Sequence, residues 1–231
     1  MPRDISQQTV VVTGGASGLG AAVVERVRTL GARPVVLDRQ PPAGDVDHVL
    51  VDLADTAGTE SAVRETADRR GGIDAVVTAA GVDVPGPFGT TPTETWERIV
   101  AVNLLGTAAV VRAALPHLLV GKGRIVTVAS TLGHHAVGDA TAYCASKFGV
   151  VGFTRALMAE LKGRVGVTLV TPGGMSTAFF DDRDSQYKPA PETPLADPMD
   201  VAESIVFALC QPPGCEIKEL VVAGPLETSW P

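Results

Sequence analysis

The chain has 231 residues, 45% of them apolar but only 4% aromatic, so a sizeable core is feasible and must be filled by Val, Leu, Ile and Ala. A net charge of −7 and the lack of any basic run argue against nucleic acid and anionic membrane surfaces as partners. The three cysteines lack Cys-x-x-Cys spacing, and the adjacent His134 and His135 have no carboxylate at ligand spacing, so neither a disulfide framework nor a metal site is expected.

The N-terminal MPRDISQQ lacks an apolar signal core, and the longest uncharged apolar stretch, Ile99 to Val111, is too short to span a bilayer, which leads us to expect a cytoplasmic protein. Thr9 to Thr13 (TVVVT) reads as a β-branched strand. It runs at once into GGASGLG and then into an apolar-periodic helix reaching about Leu30. Within this turn, Gly14, Gly18 and Gly20, with Ser17 and Leu19 between them, allow a tight bend that aims a helix N-terminus at a pyrophosphate. The second strand, Pro34 to Leu37, ends at Asp38, about twenty residues on. A carboxylate there accepts hydrogen bonds from ribose hydroxyls and repels a 2′-phosphate, which favours NAD. Arg39, next in line, keeps NADP open, because a guanidinium pairs well with a phosphate.

His48 to Val51 reads as a third strand, with Asp52 and Leu53 at its C-terminal edge where an adenine base could sit. A polar helix from about Thr59 to Arg70 and a strand from Ile73 to Thr78 lead to the turn Ala79-Ala80-Gly81. Thr91-Pro-Thr-Glu94 has the form of a capping box opening a helix to about Leu119, kinked or ended near Pro116. Trp96, Ile99, Val100, Leu104 and Val111 form its inward stripe, and Asn103 lies on that stripe as either a satisfied core amide or a site residue. Arg124 to Ser130 is the fifth strand, about Ala140 to Leu161 the next helix, and Val165 to Thr171 the sixth strand. Pro172 to Thr177 then turns out of the sheet. An irregular stretch at about 176–198 reads as a small lid, followed by a helix at Asp200 to Leu209 and a last strand at Glu219 to Ala223. Alternating strands and helices predict a Rossmann-type, doubly wound parallel α/β sheet of about seven strands, with helices on both faces and residues 1–231 as a single domain.

Tyr143 and Lys147 stand four residues apart and so share a helix face. A phenol titrates near pH ~10, and a cation beside it would lower that value. Ser130 at the strand end could donate a hydrogen bond to a carbonyl oxygen whose proton Tyr143 gives or takes.

In this order, Thr13-Gly14-x-x-x-Gly18-x-Gly20, Asn103, Ser130, Tyr143 and Lys147 resemble the cofactor turn and catalytic tetrad of the short-chain dehydrogenase/reductase family, in its compact single-domain branch. The C-terminal half is similar to 3-hydroxy acid dehydrogenase-like members. The resemblance implies that Tyr143 is the acid/base, that Lys147 holds the ribose and lowers the tyrosine pKa, and that Ser130 polarises the carbonyl. It further implies that Asn103 supports a water-linked proton path, that Ala80 and Gly81 border the cofactor, and that Pro172, Gly173 and Thr177 contact its nicotinamide end. Two departures stand out: Thr78-Ala79-Ala80-Gly81 replaces Asn-Asn-Ala-Gly, so a bracing amide is missing, and Val222-Ala223-Gly224-Pro225 replaces Val-Asp-Gly-Gly. The expected protein is an NAD(H)-dependent oxidoreductase that interconverts a secondary alcohol and a ketone. Its expected substrate is a partly apolar small molecule touching Leu132, His135, Val137 and Phe179, and by resemblance it assembles as a homotetramer or homodimer. The rival reading is a non-catalytic NAD(H)-binding sensor on the same fold.

Overall fold

A computed structural model describes residues 2–230. Seven strands form one parallel sheet: β1 Thr9–Thr13, β2 Arg33–Asp38, β3 Asp47–Leu50, β4 Ala75–Thr78, β5 Arg124–Val128, β6 Gly166–Pro172 and β7 Glu219–Val222. Their order is β3-β2-β1-β4-β5-β6-β7, with every neighbouring pair parallel. The connections leave β1 and β4 in opposite directions. This opens a crevice beyond their C-terminal ends, where ligands of such sheets bind.

Successive strand side chains point to opposite faces, and the two cores show it. Val10, Val12, Val36, Val77, Val126 and Val170 pack under α1 (Gly18–Thr29) and α6 (Pro198–Leu209). Val11, Val35, Leu37, Val76, Ile125 and Val167 pack under α2 (Thr56–Arg70), α4 (Thr107–Gly121) and α5 (Thr141–Glu160). Strands buried on both sides must be apolar throughout, which is why runs such as TVVVT and RIVTV carry no alternation.

Two helix expectations need correction. Thr91 does not cap α3 (Thr93–Val100): Pro92 takes the N-cap position and no side chain caps this end, because the Thr91 hydroxyl is spent on the Gly86 and Pro87 carbonyls. Nor does Pro116 end α4, which continues through it to Gly121. Between α3 and α4 the chain makes a π-helical turn, Ala101–Gly106, so helix runs unbroken from Thr93 to Gly121. Among the described residues it is the one helix long and apolar enough to cross a membrane, but 56% of its most apolar window is buried against the protein, as in a core helix. The polar helix α2 starts earlier than its periodicity suggests, at Thr56, because the Asp55 carboxylate accepts from the Gly58 N–H.

The turn after β1 depends on glycine at two places. Gly14 has φ +70°, and a Cβ on Gly20 would lie 2.1 Å from the Gly14 carbonyl oxygen. Gly20→Ala should therefore destabilise the fold by about 3 kcal/mol, the upper range for overpacking at a site that cannot relax. Denaturant unfolding with an unchanged midpoint would show that the turn yields.

Candidate active site

The crevice holds one cavity of about 660 Å³. At one end are Gly14, Ser17, Gly18, Leu19 and Gly20, with Asp38, Arg39, Asp52 and Leu53 at the rim. At the other are Ser130, Leu132, Val137, Tyr143, Lys147, Pro172, Gly173, Thr177 and Phe179, with Ala80 and Gly81 between the two groups. Two expected residues stand elsewhere. His135 is exposed and does not line the cavity, while His134 turns its Nε2 to Thr171 Oγ1 (3.2 Å) and its ring edge to Trp230. Asn103 lies behind the wall.

Asn103 is 1% exposed and sits in the π-helical turn. Its Oδ1 accepts from Val82 N–H (2.8 Å), and its Nδ2 donates to the Val82 carbonyl (2.9 Å) and to Ser146 Oγ (3.0 Å). Ser146 in turn donates to the Tyr143 carbonyl at 2.8 Å. The amide thus ties the segment after the Ala79-Ala80-Gly81 turn to the turn of α5 that carries Tyr143. Its backbone carbonyl accepts from Thr107 Oγ1. In this geometry Asn103 is a brace. It does not replace the amide missing from the Ala79-Ala80-Gly81 turn, where Thr78 is buried with its hydroxyl unpartnered and Ala79 presents only a methyl group to the cavity.

Ser130 caps the short 3-10 turn Thr131–Gly133 by accepting from Leu132 N–H at 3.2 Å, so its own hydroxyl proton stays available. Lys147, 4% exposed, donates from Nζ to the Val128 carbonyl (3.0 Å) and lies 5.7 Å from the Tyr143 ring centroid. Burial lowers its pKa from 10.5 to about 8. Burial also pushes the Tyr143 phenol from 10.0 up to about 12, with the Ser130 hydroxyl pulling the other way. The expectation that Lys147 lowers the phenol pKa is thus not met in this arrangement: loss of water around the phenol dominates, and the ammonium faces the Val128 carbonyl.

Two ion pairs and one hydrogen-bonded carboxylate near the cavity were not foreseen. Arg98 holds Asp52 at 2.9 Å, and with the Ala54 N–H it keeps that carboxyl below its ordinary value despite burial that would raise it. Arg183 meets the buried Asp83 at 2.9 Å, a hundred residues away in sequence. At the C-terminal end, Glu227 accepts from the Gly174 N–H (2.8 Å) and from Ser229, whose hydroxyl also reaches Thr131 Oγ1. Only spacing within helices could have flagged such residues, and none of these pairs lies within one helix.

These residues fit a dinucleotide. The twelve-residue helix α1 begins at Ser17 with no side-chain cap, leaving its first N–H groups free at the cavity for phosphate oxygens. Asp38 is held at the rim by N–H donors of Ala16 and Gln40 (both 3.1 Å) and keeps lone pairs for hydroxyl groups.

Residues 8–188 match the family model described as short chain dehydrogenase. The chain belongs to the short-chain dehydrogenase family. Among its relatives, the 2,5-dichloro-2,5-cyclohexadiene-1,4-diol dehydrogenase LinX of Sphingobium indicum is 30% identical, with 90% of each chain covered. The L-fucose dehydrogenase of Mus musculus is 30% identical over 97% of this chain and 90% of its own. A metagenomic short-chain oxidoreductase solved in complex with NADP is 28% identical, covers 96% of this chain and 99% of its own, and superposes with a TM-score of 0.82. The ligand-free aldohexose dehydrogenase of Thermoplasma acidophilum, at 22% identity with 99% of both chains covered and a TM-score of 0.85, shows the same fold. As a short-chain dehydrogenase, the protein is an oxidoreductase acting on CH–OH groups with a nicotinamide dinucleotide.

The buried ammonium has a cost that depends on pH. Below pH ~8 Lys147 is protonated in both folded and unfolded chains, and the folded state bears the whole desolvation penalty. Between about 8 and 10.5 the folded protein sheds the proton first, so stability rises with pH across that window. In the dinucleotide-free protein, Lys147→Met should stabilise by about 2 kcal/mol at pH ~7. That figure is about 3 kcal/mol of relieved desolvation less about 1 for the orphaned Val128 carbonyl. The gain should fade by pH ~10. A variant less stable than wild type at pH ~7 would contradict this.

Proposed function

We propose that this short-chain dehydrogenase interconverts a secondary alcohol and a ketone on a small molecule, with NAD(H) preferred and Tyr143 as the acid/base. One observation carries the reading: Ser130, Tyr143 and Lys147 meet on the wall of a single cavity whose far end is the glycine turn and Asp38. Gly14, Ser17, Gly18, Leu19 and Gly20 would hold the pyrophosphate, and Asp38 and Arg39 the adenosine ribose. Asp52 and Leu53 would border the base, and Pro172, Gly173 and Thr177 the nicotinamide end. The bound dinucleotide supplies or accepts the hydride.

In the reducing direction the phenol of Tyr143, kept neutral by its burial, gives its proton to the substrate oxygen, while Ser130 Oγ donates a second hydrogen bond to that oxygen. Lys147, with one donor on the Val128 carbonyl, keeps two donors free beside the Tyr143 ring to hold the ribose of a bound dinucleotide. Asn103 holds the tyrosine's turn in place through Ser146. Phe179, Leu132, Val137 and Leu195 give the substrate end an apolar wall that excludes water, and residues 176–198 serve as its lid. The relatives that act on a ring diol and a sugar support a hydroxylated ring as substrate.

The NADP reading keeps one observation in its favour, Arg39 on the cavity wall. Asp38 opposes it, since its carboxylate would stand against a 2′-phosphate. Exposed Leu105 and Phe148 on the helical face, and exposed Phe207 and Val221 on α6 and β7, support assembly into a homodimer or homotetramer.

Tyr143→Phe should bind dinucleotide as wild type does while turnover falls about 10²-fold to 10⁴-fold, measured on whichever alcohol of a diol and sugar panel the wild type oxidises. Near wild-type kcat would sink the mechanism. An NADH-binding protein inactive on the whole panel would favour the sensor reading. Asp38→Ala should narrow the ratio of kcat/KM for NADH over NADPH by at least tenfold, since a like-charge clash costs several kcal/mol. A wild type that prefers NADPH would remove the premise.

A further inference from the structure

The acid/base reading leaves one feature of the active-site wall without a role. Asp83, on the segment after β4, and Arg183, on the lid, form an ion pair whose side chains are only 4% and 13% exposed. Burying both charges is costly and is offset only by good geometry. The pair does more than shut the lid. The Arg183 guanidinium lies 4.7 Å from the ring centroids of both Phe179 and Phe180, and Phe179 in turn rests on the Tyr143 ring at 5.8 Å. A continuous contact path therefore runs from Asp83 through Arg183 and Phe179 to Tyr143. A second clamp, Tyr187 donating to Asp139 at 2.9 Å, already holds the lid's far turn to the body, so closure does not require a buried charge pair.

Resting on the reading of Tyr143 as the acid/base, we propose that Asp83 and Arg183 are positioning residues for that group: a charge couple, half on the body and half on the lid, that seats Phe179 on the tyrosine ring and sets the electrostatic balance at its phenol only when the lid is shut.

The groups facing the phenol come from four elements. Ser130 approaches from the segment after β5, Lys147 and Cys144 from its own helix, Asp83 from the segment after β4, and Arg183 from the lid. The Asp83 charge works against phenolate and the Arg183 charge in favour of it, so with both present they oppose one another at the phenol. With the lid open, Asp83 would act alone. Burial raises the Asp83 carboxyl, and the Arg183 charge and the Val84 N–H work against that rise. Proton exchange at Tyr143 is thereby matched to the closed lid, when substrate is sequestered.

The chain contains two tyrosines, Tyr143 and Tyr187, so protein labelled with ¹³C at tyrosine Cζ shows two signals whose pH titration needs no substrate. Tyr143→Phe identifies the relevant one, and circular dichroism on the same samples confirms that the fold persists. At a pH about one unit below the wild-type midpoint, Asp83→Asn should carry about fivefold more Tyr143 phenolate than wild type, and Arg183→Met about tenfold less, each the effect of a midpoint shift of about one unit. Arg183→Lys, which keeps the charge, should recover most of the difference, and the double variant Asp83→Asn with Arg183→Met should lie near wild type. A pair that merely latched the lid would behave otherwise: each break would admit water and move every variant toward more phenolate. That common direction, or no movement at all, overturns the inference. Should Tyr143→Phe keep full turnover while the titrations move as expected, the acid/base reading falls instead and the charge couple stands.

Discussion

Seven parallel strands that end on one edge, with the chain leaving β1 and β4 in opposite directions, produce a crevice that no local side chain fills. Everything functional in this protein is a consequence of what borders that gap. The glycine turn must be narrow there because Gly14 lies against Ala80, where a Cβ would come within 2.8 Å of the Ala80 Cα, and Ala80 N–H is tied back to Thr13 Oγ1 at 3.1 Å. Helix α5 must cross the same edge, and so its first two turns deliver Tyr143 and Lys147 to the cavity.

Crowding at this edge also removes water, and the electrostatics follow from that. Lys147 and Tyr143 both respond to burial more than to each other, one pushed toward neutrality from above and the other held neutral from below. The polar groups that touch them directly are paired: Lys147 on Val128, Ser146 between Asn103 and the Tyr143 carbonyl, Ser130 on Leu132. The π-helical turn has the same logic. It places Asn103 where one amide can satisfy both backbone groups of Val82 and still reach α5.

Residues 176–198 also reach the cavity, through Thr177, Phe179, Phe180 and Arg183 among others. Among the described residues, Arg183 and Asp83 are the ion pair with the least exposed side chains, and the aromatic rings of Phe179 and Phe180 flank the guanidinium. The surface pairs, such as Arg155 with Glu219 and Arg112 with Glu60, keep much of their hydration and contribute little by comparison.

What the sequence by itself determined is everything that local spacing encodes. The seven strands are legible because strands buried on both faces need unbroken apolar runs, and the glycine turn is legible because its neighbours are a strand and a helix. Tyr143, Lys147 and Asn103 are legible because helical spacing puts them on recognisable faces. Tertiary structure decided the rest. Thr91 has the residue pattern of a cap but found the carbonyls of Gly86 and Pro87 instead, and His135 sits one residue from a histidine that packs inward yet faces solvent itself. The direction of the Tyr143 shift reverses the expectation from its neighbour four residues on, because dehydration is a property of the packed edge and not of any pair of residues. Asp52 with Arg98 and Asp83 with Arg183 join residues 46 and 100 positions apart. No periodicity spans such distances: only the closing of the sheet and the packing of residues 176–198 against it bring those charges together.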